Sequence, residues 1–134
     1  MTMSLKQYFE TASGTGVLST ADSSGKVDAA IYSTPHVMDD GSVAFIMRER
    51  LTHENLRSNP FAAYLFLEGA PGHKGIRLFL KKTREDDNAE LIATMTRRNL
   101  KPELDAQKGP KHLVYFIVEK ALPLIGSGPA PVAV

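Results

Sequence analysis

Two arginines, Arg48 and Arg50, alternate with Glu49 at the end of an apolar run and lead directly into Leu51-Thr52-His53-Glu54-Asn55-Leu56. If the extended backbone continues, both guanidinium groups point the same way, and the free N–H groups of a helix starting at Thr52 follow at once. Guanidinium donors beside a helix N-terminus suit a phosphate, because hydrogen-bond donors, helix dipole and formal charge converge on one anion. The same residues also read as solvated loop charges, with Thr52 acting only as a helix cap. Spacing leaves both readings open.

Other chemical patterns fail on a missing residue. Gly14-Thr15-Gly16 lacks the third glycine of a dinucleotide loop, since Ser19 stands there, and it has neither a preceding strand nor a phosphate-loop lysine. It reads as a helix stop. His53-Glu54 begins like a zinc-protease helix, but Arg57 occupies the position of the second histidine. His36, His53, His73 and His112 show no ligand spacing, so no metal site is expected. His73, in a glycine-rich loop, reads as solvated. No serine sits in a Gly-x-Ser-x-Gly elbow. Glu85-Asp86-Asp87 reads as the charged start of a helix rather than as a catalytic carboxylate pair. No residue is forced into the role of acid or base, so the catalytic residues stay unknown.

Composition narrows the classes further. The chain has 134 residues, with 16 Lys plus Arg against 15 Asp plus Glu, and neither Cys nor Trp. Thiolate catalysis, disulfides, iron–sulfur clusters and cysteine zinc sites are excluded. A net charge of +1 lacks the basic surplus of a sequence-independent nucleic-acid binder. No run has the length of a signal peptide or membrane span, so a soluble, cytoplasmic protein is expected. This length supports one domain, over 1–122, with an irregular tail rich in Pro and Gly over 123–134. A separate cofactor domain has no room, so any cofactor site must be compact or shared between subunits.

The elements follow from periodicity. Leu5, Tyr8, Phe9 and Ala12 recur at helical spacing, predicting a helix over 4–13. Strands are predicted over 17–21 and 27–34, joined by Asp22-Ser23-Ser24-Gly25, and over 43–47, where the unbroken apolar run implies burial on both faces. A short helix over 52–58 ends at Asn59-Pro60. Further strands are predicted over 61–67, 76–82 and 113–119. Between the last two, Asp87 and Glu90 form a capping pattern ahead of Leu91, Ile92 and Met95, with Arg97 and Arg98 in the last turn. Six strands, hairpin turns and few helices predict a mainly β, antiparallel, closed or partly closed barrel with peripheral helices.

Four stretches then carry a resemblance to a known family. These are Gly16-Val17-Leu18-Ser19-Thr20-Ala21 running through Ser24-Gly25-Lys26-Val27 into Ala29-Ala30-Ile31-Tyr32; Asp40-Gly41-Ser42-Val43-Ala44-Phe45; Leu51-Thr52-His53-Glu54-Asn55-Leu56-Arg57-Ser58-Asn59-Pro60; and Phe61-Ala62-Ala63-Tyr64-Leu65-Phe66. In this order, over about residues 14–120, they resemble the pyridoxamine 5'-phosphate oxidase-like FMN-binding split-barrel family. The resemblance implies a six-stranded antiparallel split barrel of Greek-key type, and a homodimer with two FMN sites at the interface. Ala30, Ile31, Tyr32 and Ser33 would line the flavin ring. Ile46, Met47 and Arg48 would lie along the ring and ribityl chain, and Arg50, Leu51, Thr52 and Asn55 would form the phosphate pocket. The strand over 113–118 of a second copy would complete the site.

The chain departs from the pattern in two places. Leu51 stands where family members often carry Lys, and the C-terminal Trp and Arg that the oxidases use around substrate have no match. The resemblance therefore implies an FMN-binding flavoprotein, an oxidoreductase acting on a small substrate or redox partner, but not pyridoxamine phosphate oxidase itself. The alternatives are a non-enzymatic module that stores or senses FMN or binds haem or a deazaflavin, and a structural dimer whose cleft has lost its ligand.

Overall fold

The computed structural model describes residues 2–97 and 101–134. Helix α1 (Leu5–Thr11) follows the two-residue strand β1 (Met3–Ser4) and starts in a capping box, with Ser4 accepting from the Gln7 amide and Gln7 reaching back. Its Leu5 and Tyr8 are buried, as their spacing predicts. The helix stops before the glycines. Gly14 and Gly16 instead lie in β2 (Gly14–Ala21), and close packing demands them. A Cβ on Gly16 would sit 1.8 Å from the Tyr64 hydroxyl, and one on Gly14 would sit 2.0 Å from the Leu67 carbonyl oxygen.

β3 (Val27–Ile31), β4 (His36–Val37), β5 (Val43–Arg48), β6 (Phe61–Glu68), β7 (Gly75–Asp86) and β8 (Lys111–Pro123) join β2 in one sheet of order β3-β2-β6-β7-β8-β5-β4. Every pairing in it is antiparallel. Its long strands are the six that periodicity predicts, and β4 adds a two-residue edge. β7 and β8 run further than predicted. Register shifts in their pairing between Phe79 and Leu80, and again between Lys82 and Arg84, bend the ribbon and carry β7 past β6. Glu85 and Asp86 thus belong to a strand, opposite Val114 and Leu113, and do not begin a helix.

The inner faces of the strands bury Leu18, Phe45, Met47, Tyr64, Phe66, Leu78, Leu80 and Phe116 in one core. β5 is covered on both sides, as its apolar run predicts. Phe45 and Met47 enter that core, while Ala44 meets Leu113, Tyr115 and Ile92 beneath α3 (Ala89–Met95). The cap of α3 is Asn88, whose side chain accepts from the Leu91 amide, rather than Asp87. Arg97 lies beyond the end of α3 and Arg98 outside the described residues, so the predicted arginine pair in its last turn is not borne out for Arg97. Helix α4 (Pro102–Gln107) was not legible in the sequence. In the tail, β9 (Val132–Ala133) pairs in parallel with β1 and buries Val132.

Candidate functional site

The two edges of the sheet, β3 and β4, are separated in the chain only by residues 32–35. Pro35 has no N–H to give a ladder, and the Tyr64 hydroxyl donates to the Tyr32 carbonyl, so this connection bridges the seam without extending either strand. A cavity of about 420 Å³ opens along it, within the usual range for small-molecule sites. Ile31, Phe45, Ile46, Leu51 and Met95 make an apolar wall. Tyr32, Ser33, Thr34 and Thr52 add polar groups, and Arg48, Arg50, Arg97, Lys108 and Lys111 outnumber Asp28 and Asp105. Such a lining suits a flat, partly apolar, anionic ligand.

Nine of the residues expected at a cofactor line this cavity: Ala30, Ile31, Tyr32, Ser33, Ile46, Arg48, Arg50, Leu51 and Thr52. Two do not. The Met47 side chain is buried in the core, because alternation along β5 turns it inward. Asn55 is buried on α2 (Leu51–Ser58) and donates to Thr20 Oγ1, which fixes the helix to β2. Sequence reasoning missed Met95, Arg97, Asp105, Lys108 and Lys111, which reach the cavity from α3, α4, the residues that follow each helix, and the start of β8. The only signal for them was the basic character of positions 97–111.

Thr52 is not the cap of α2. That position falls to Arg50, whose side chain makes no capping bond, and Arg50, Leu51 and Thr52 at this helix start line the cavity. Thr52 lies inside the helix, buried, with its hydroxyl 3.4 Å from Asp28 Oδ2. Tyr32 faces the same place. Burial raises its hydroxyl pKa, while Thr52 and Arg50 pull it the other way. Arg48 is bound elsewhere. Its Nη2 meets Asp105 Oδ1 at 2.5 Å and its Nη1 donates to the Asp105 and Gly109 carbonyls, while Lys111 Nζ stands 3.1 Å from the same carboxylate. Arg48 and then Lys111 hold the Asp105 carboxyl below its ordinary pKa. Arg97 donates to the carbonyl and hydroxyl of Thr34, and burial together with Arg97 lowers the pKa of His36.

No protein-family model matches the chain, and no curated protein matches it in sequence. Solved structures do match in shape. An FMN-binding protein from Syntrophomonas wolfei subsp. wolfei superposes with a TM-score of 0.72 at 18% identity, over 90% of this chain and 84% of that one. A candidate pyridoxamine 5'-phosphate oxidase from Lactobacillus delbrueckii gives 0.63 at 16%, over 87% and 88%. An F420 reductase gives 0.62 at 14%, over 81% and 88%. The chain has the pyridoxamine 5'-phosphate oxidase-like split-barrel fold. In this split barrel the cavity lies where the barrel is split, between β3 and the β4–β5 edge.

The outer face of the split barrel carries an apolar stripe flanked by Ser19 and Arg77. Ile31, Val17 and Leu65 stand side by side across β3, β2 and β6, and Ala63 and Phe79 continue the stripe onto β7. Val27 is 83% exposed and Ile31 72%. The strand over 113–118 buries Leu113, Val114, Tyr115 and Phe116 within its own chain. Only Ile117 among these large side chains is exposed, because α3 covers the face that the core does not. His53 and His112, far apart in sequence, stack with ring centroids 4.3 Å apart. Among the described residues, no helix is long and apolar enough to cross a membrane.

Proposed function

We propose that the seam cavity binds FMN and that the protein is a flavin-dependent oxidoreductase acting on a small substrate or redox partner. The uncapped N-terminus of α2 carries this reading, since Arg50 and Thr52 at that helix start line the same cavity as the apolar Ile31, Phe45, Ile46, Leu51 and Met95. Two anion-directed features and one flat apolar surface meet there, which fits a molecule with a phosphate at one end and a fused ring at the other. The first-turn amides, the Thr52 hydroxyl and the Arg50 guanidinium would hold the phosphate. Ile31, Ile46 and Leu51 would pack on the ring, with the backbone of residues 30–33 at its polar edge. The flavin, when bound, supplies hydride or electron transfer, and the protein supplies binding, orientation and exclusion of water.

The apolar outer stripe supports a homodimer. A contiguous apolar face of this kind marks an association surface. Ile31 belongs both to the stripe and to the cavity wall, so a second copy seated on the stripe would also border the cavity. The first test is the absorption spectrum of the purified protein, with mass identification of any released cofactor. A flavin spectrum and FMN mass support the proposal. A colourless protein whose melting temperature does not rise on adding FMN rejects it, because a ligand of the native state must stabilise that state.

One observation favours a second reading, a non-enzymatic module for another cofactor such as haem or a deazaflavin. Asp28 places a carboxylate beside Thr52, where a phosphate would otherwise meet only donors. A Soret band, or a released mass other than FMN, would select this reading.

A further inference from the structure

His53 is the third residue of α2 and does not line the cavity. It meets Glu85 of β7 and His112 of β8, residues that the two irregularities in the β7–β8 ladder bring to the same end of the sheet. One donor atom from each of the three lies within 4.8 Å of those of the other two. His53 Nε2 is 3.0 Å from Glu85 Oε1. Donor atoms held at 2.0–2.1 Å around a tetrahedral ion are themselves about 3.3 Å apart, so this separation is close to what a shared ion needs.

A second observation points the same way. Asp87 Oδ1 lies 2.5 Å from His112 Nδ1, which places the imidazole proton on that nitrogen. His112 Nε2 is then left with a bare lone pair, buried and without a hydrogen-bond partner among the described residues. A buried acceptor without a donor is uncommon, and a carboxylate behind one nitrogen of a histidine is the arrangement that orients its other nitrogen toward a metal. The charge also suits a divalent cation. Among the described residues, the carboxylates of Glu85, Asp87 and Glu49, the last 3.9 Å from His112 Nε2, are opposed at close range by one ammonium, Lys82 Nζ, 3.2 Å from Glu85 Oε1.

We infer that His53, Glu85 and His112 form a site for a divalent cation of the zinc, cobalt or nickel class, with Asp87 as the residue that orients His112. Nitrogen and oxygen ligands of this kind, without thiolate, select borderline metals. Binding tilts the two stacked rings toward a common point and displaces Lys82 from Glu85. The site is independent of the flavin proposal, because none of its residues lines the seam cavity.

The test is titration of the tag-free chain with Co²⁺, read by visible absorption, followed by competition with Zn²⁺. A one-to-one complex with tetrahedral absorption, displaced by Zn²⁺, is expected. His53→Ala or His112→Ala lowers the affinity by more than about tenfold, and Asp87→Asn by roughly tenfold. Lys82→Met removes the competing cation and raises the affinity. Wild-type binding no tighter than that of the His53→Ala/His112→Ala double variant overturns the proposal. If that variant does not fold, unchanged affinity in Lys82→Met overturns it instead.

Discussion

The Arg48 guanidinium, at the end of β5, closes on Asp105 of α4, 57 residues later in the chain, and also donates to the Asp105 and Gly109 carbonyls. One side chain thereby satisfies three acceptors and ties the segment around α4 to the wall of the seam cavity. The sequence offers Arg48 and Arg50 as an equivalent pair. The fold separates them, giving Arg48 to a structural anchor and Arg50 to the open N-terminus of α2.

Replacing Arg48 with Ala leaves the Asp105 carboxylate with Lys111 alone. Faster amide exchange is expected over residues 105–109, with only a minor loss of FMN affinity. Hydrogen exchange read by mass spectrometry checks this. Unchanged protection there would show that α4 does not depend on the anchor.

Arg50→Ala combined with Thr52→Ala is expected to weaken FMN binding on the order of 100-fold, the effect of losing two charge-assisted bonds of about 1.5 kcal/mol each. Flavin-fluorescence titration measures it. Equal affinity in the double variant and the wild type removes the phosphate from this position.

Asp28 gives the opposite sign. Its carboxylate faces the Thr52 hydroxyl and would repel a phosphate there, so Asp28→Asn should tighten FMN several-fold and steepen the loss of affinity with salt. Weaker binding in this variant would mean that Asp28 contacts the ligand favourably.

Leu65 faces outward between Val17 and Arg77. Leu65→Lys buries a charge in any interface formed by the stripe, and sedimentation should show half the wild-type mass with the fold intact by circular dichroism. A wild-type protein that sediments as a monomer at micromolar concentration would sink the dimer proposal directly.

Glu85 sets an acid limit on stability. Burial acts to raise its pKa, but hydrogen bonds from His53 and Lys82 and their charges outweigh it and hold the carboxyl below its ordinary value. A depressed carboxyl contributes stability that is complete above its unfolded pKa and is lost as the pH falls toward the folded one. The melting temperature should therefore drop from about pH 5 downward. Glu85→Gln should melt lower at neutral pH, fall less steeply in acid, and converge with the wild type once the pH is below the folded pKa of Glu85. Parallel profiles would show that Glu85 is not the group responsible.

Local pattern alone carried the strand periodicity, the two-sided burial of β5 and the position of α2, because alternation and helical spacing are set by neighbours in the chain. Nine cavity residues, in two short stretches on either side of the seam, came from the family resemblance rather than from local pattern. Where it failed, a distant partner decided. Gly16 reads as a helix stop, yet the Tyr64 hydroxyl is what forbids a side chain there. Glu85 reads as a helix start, yet pairing with β8 extends the strand through it. The histidines read as scattered because a ligand set drawn from α2, β7 and β8 has no spacing in sequence at all. Residue types and periodicity thus determined the barrel and its seam. Which arginine is committed to an anchor, and which histidines meet, depended on long-range register and bulges that only the folded sheet supplies.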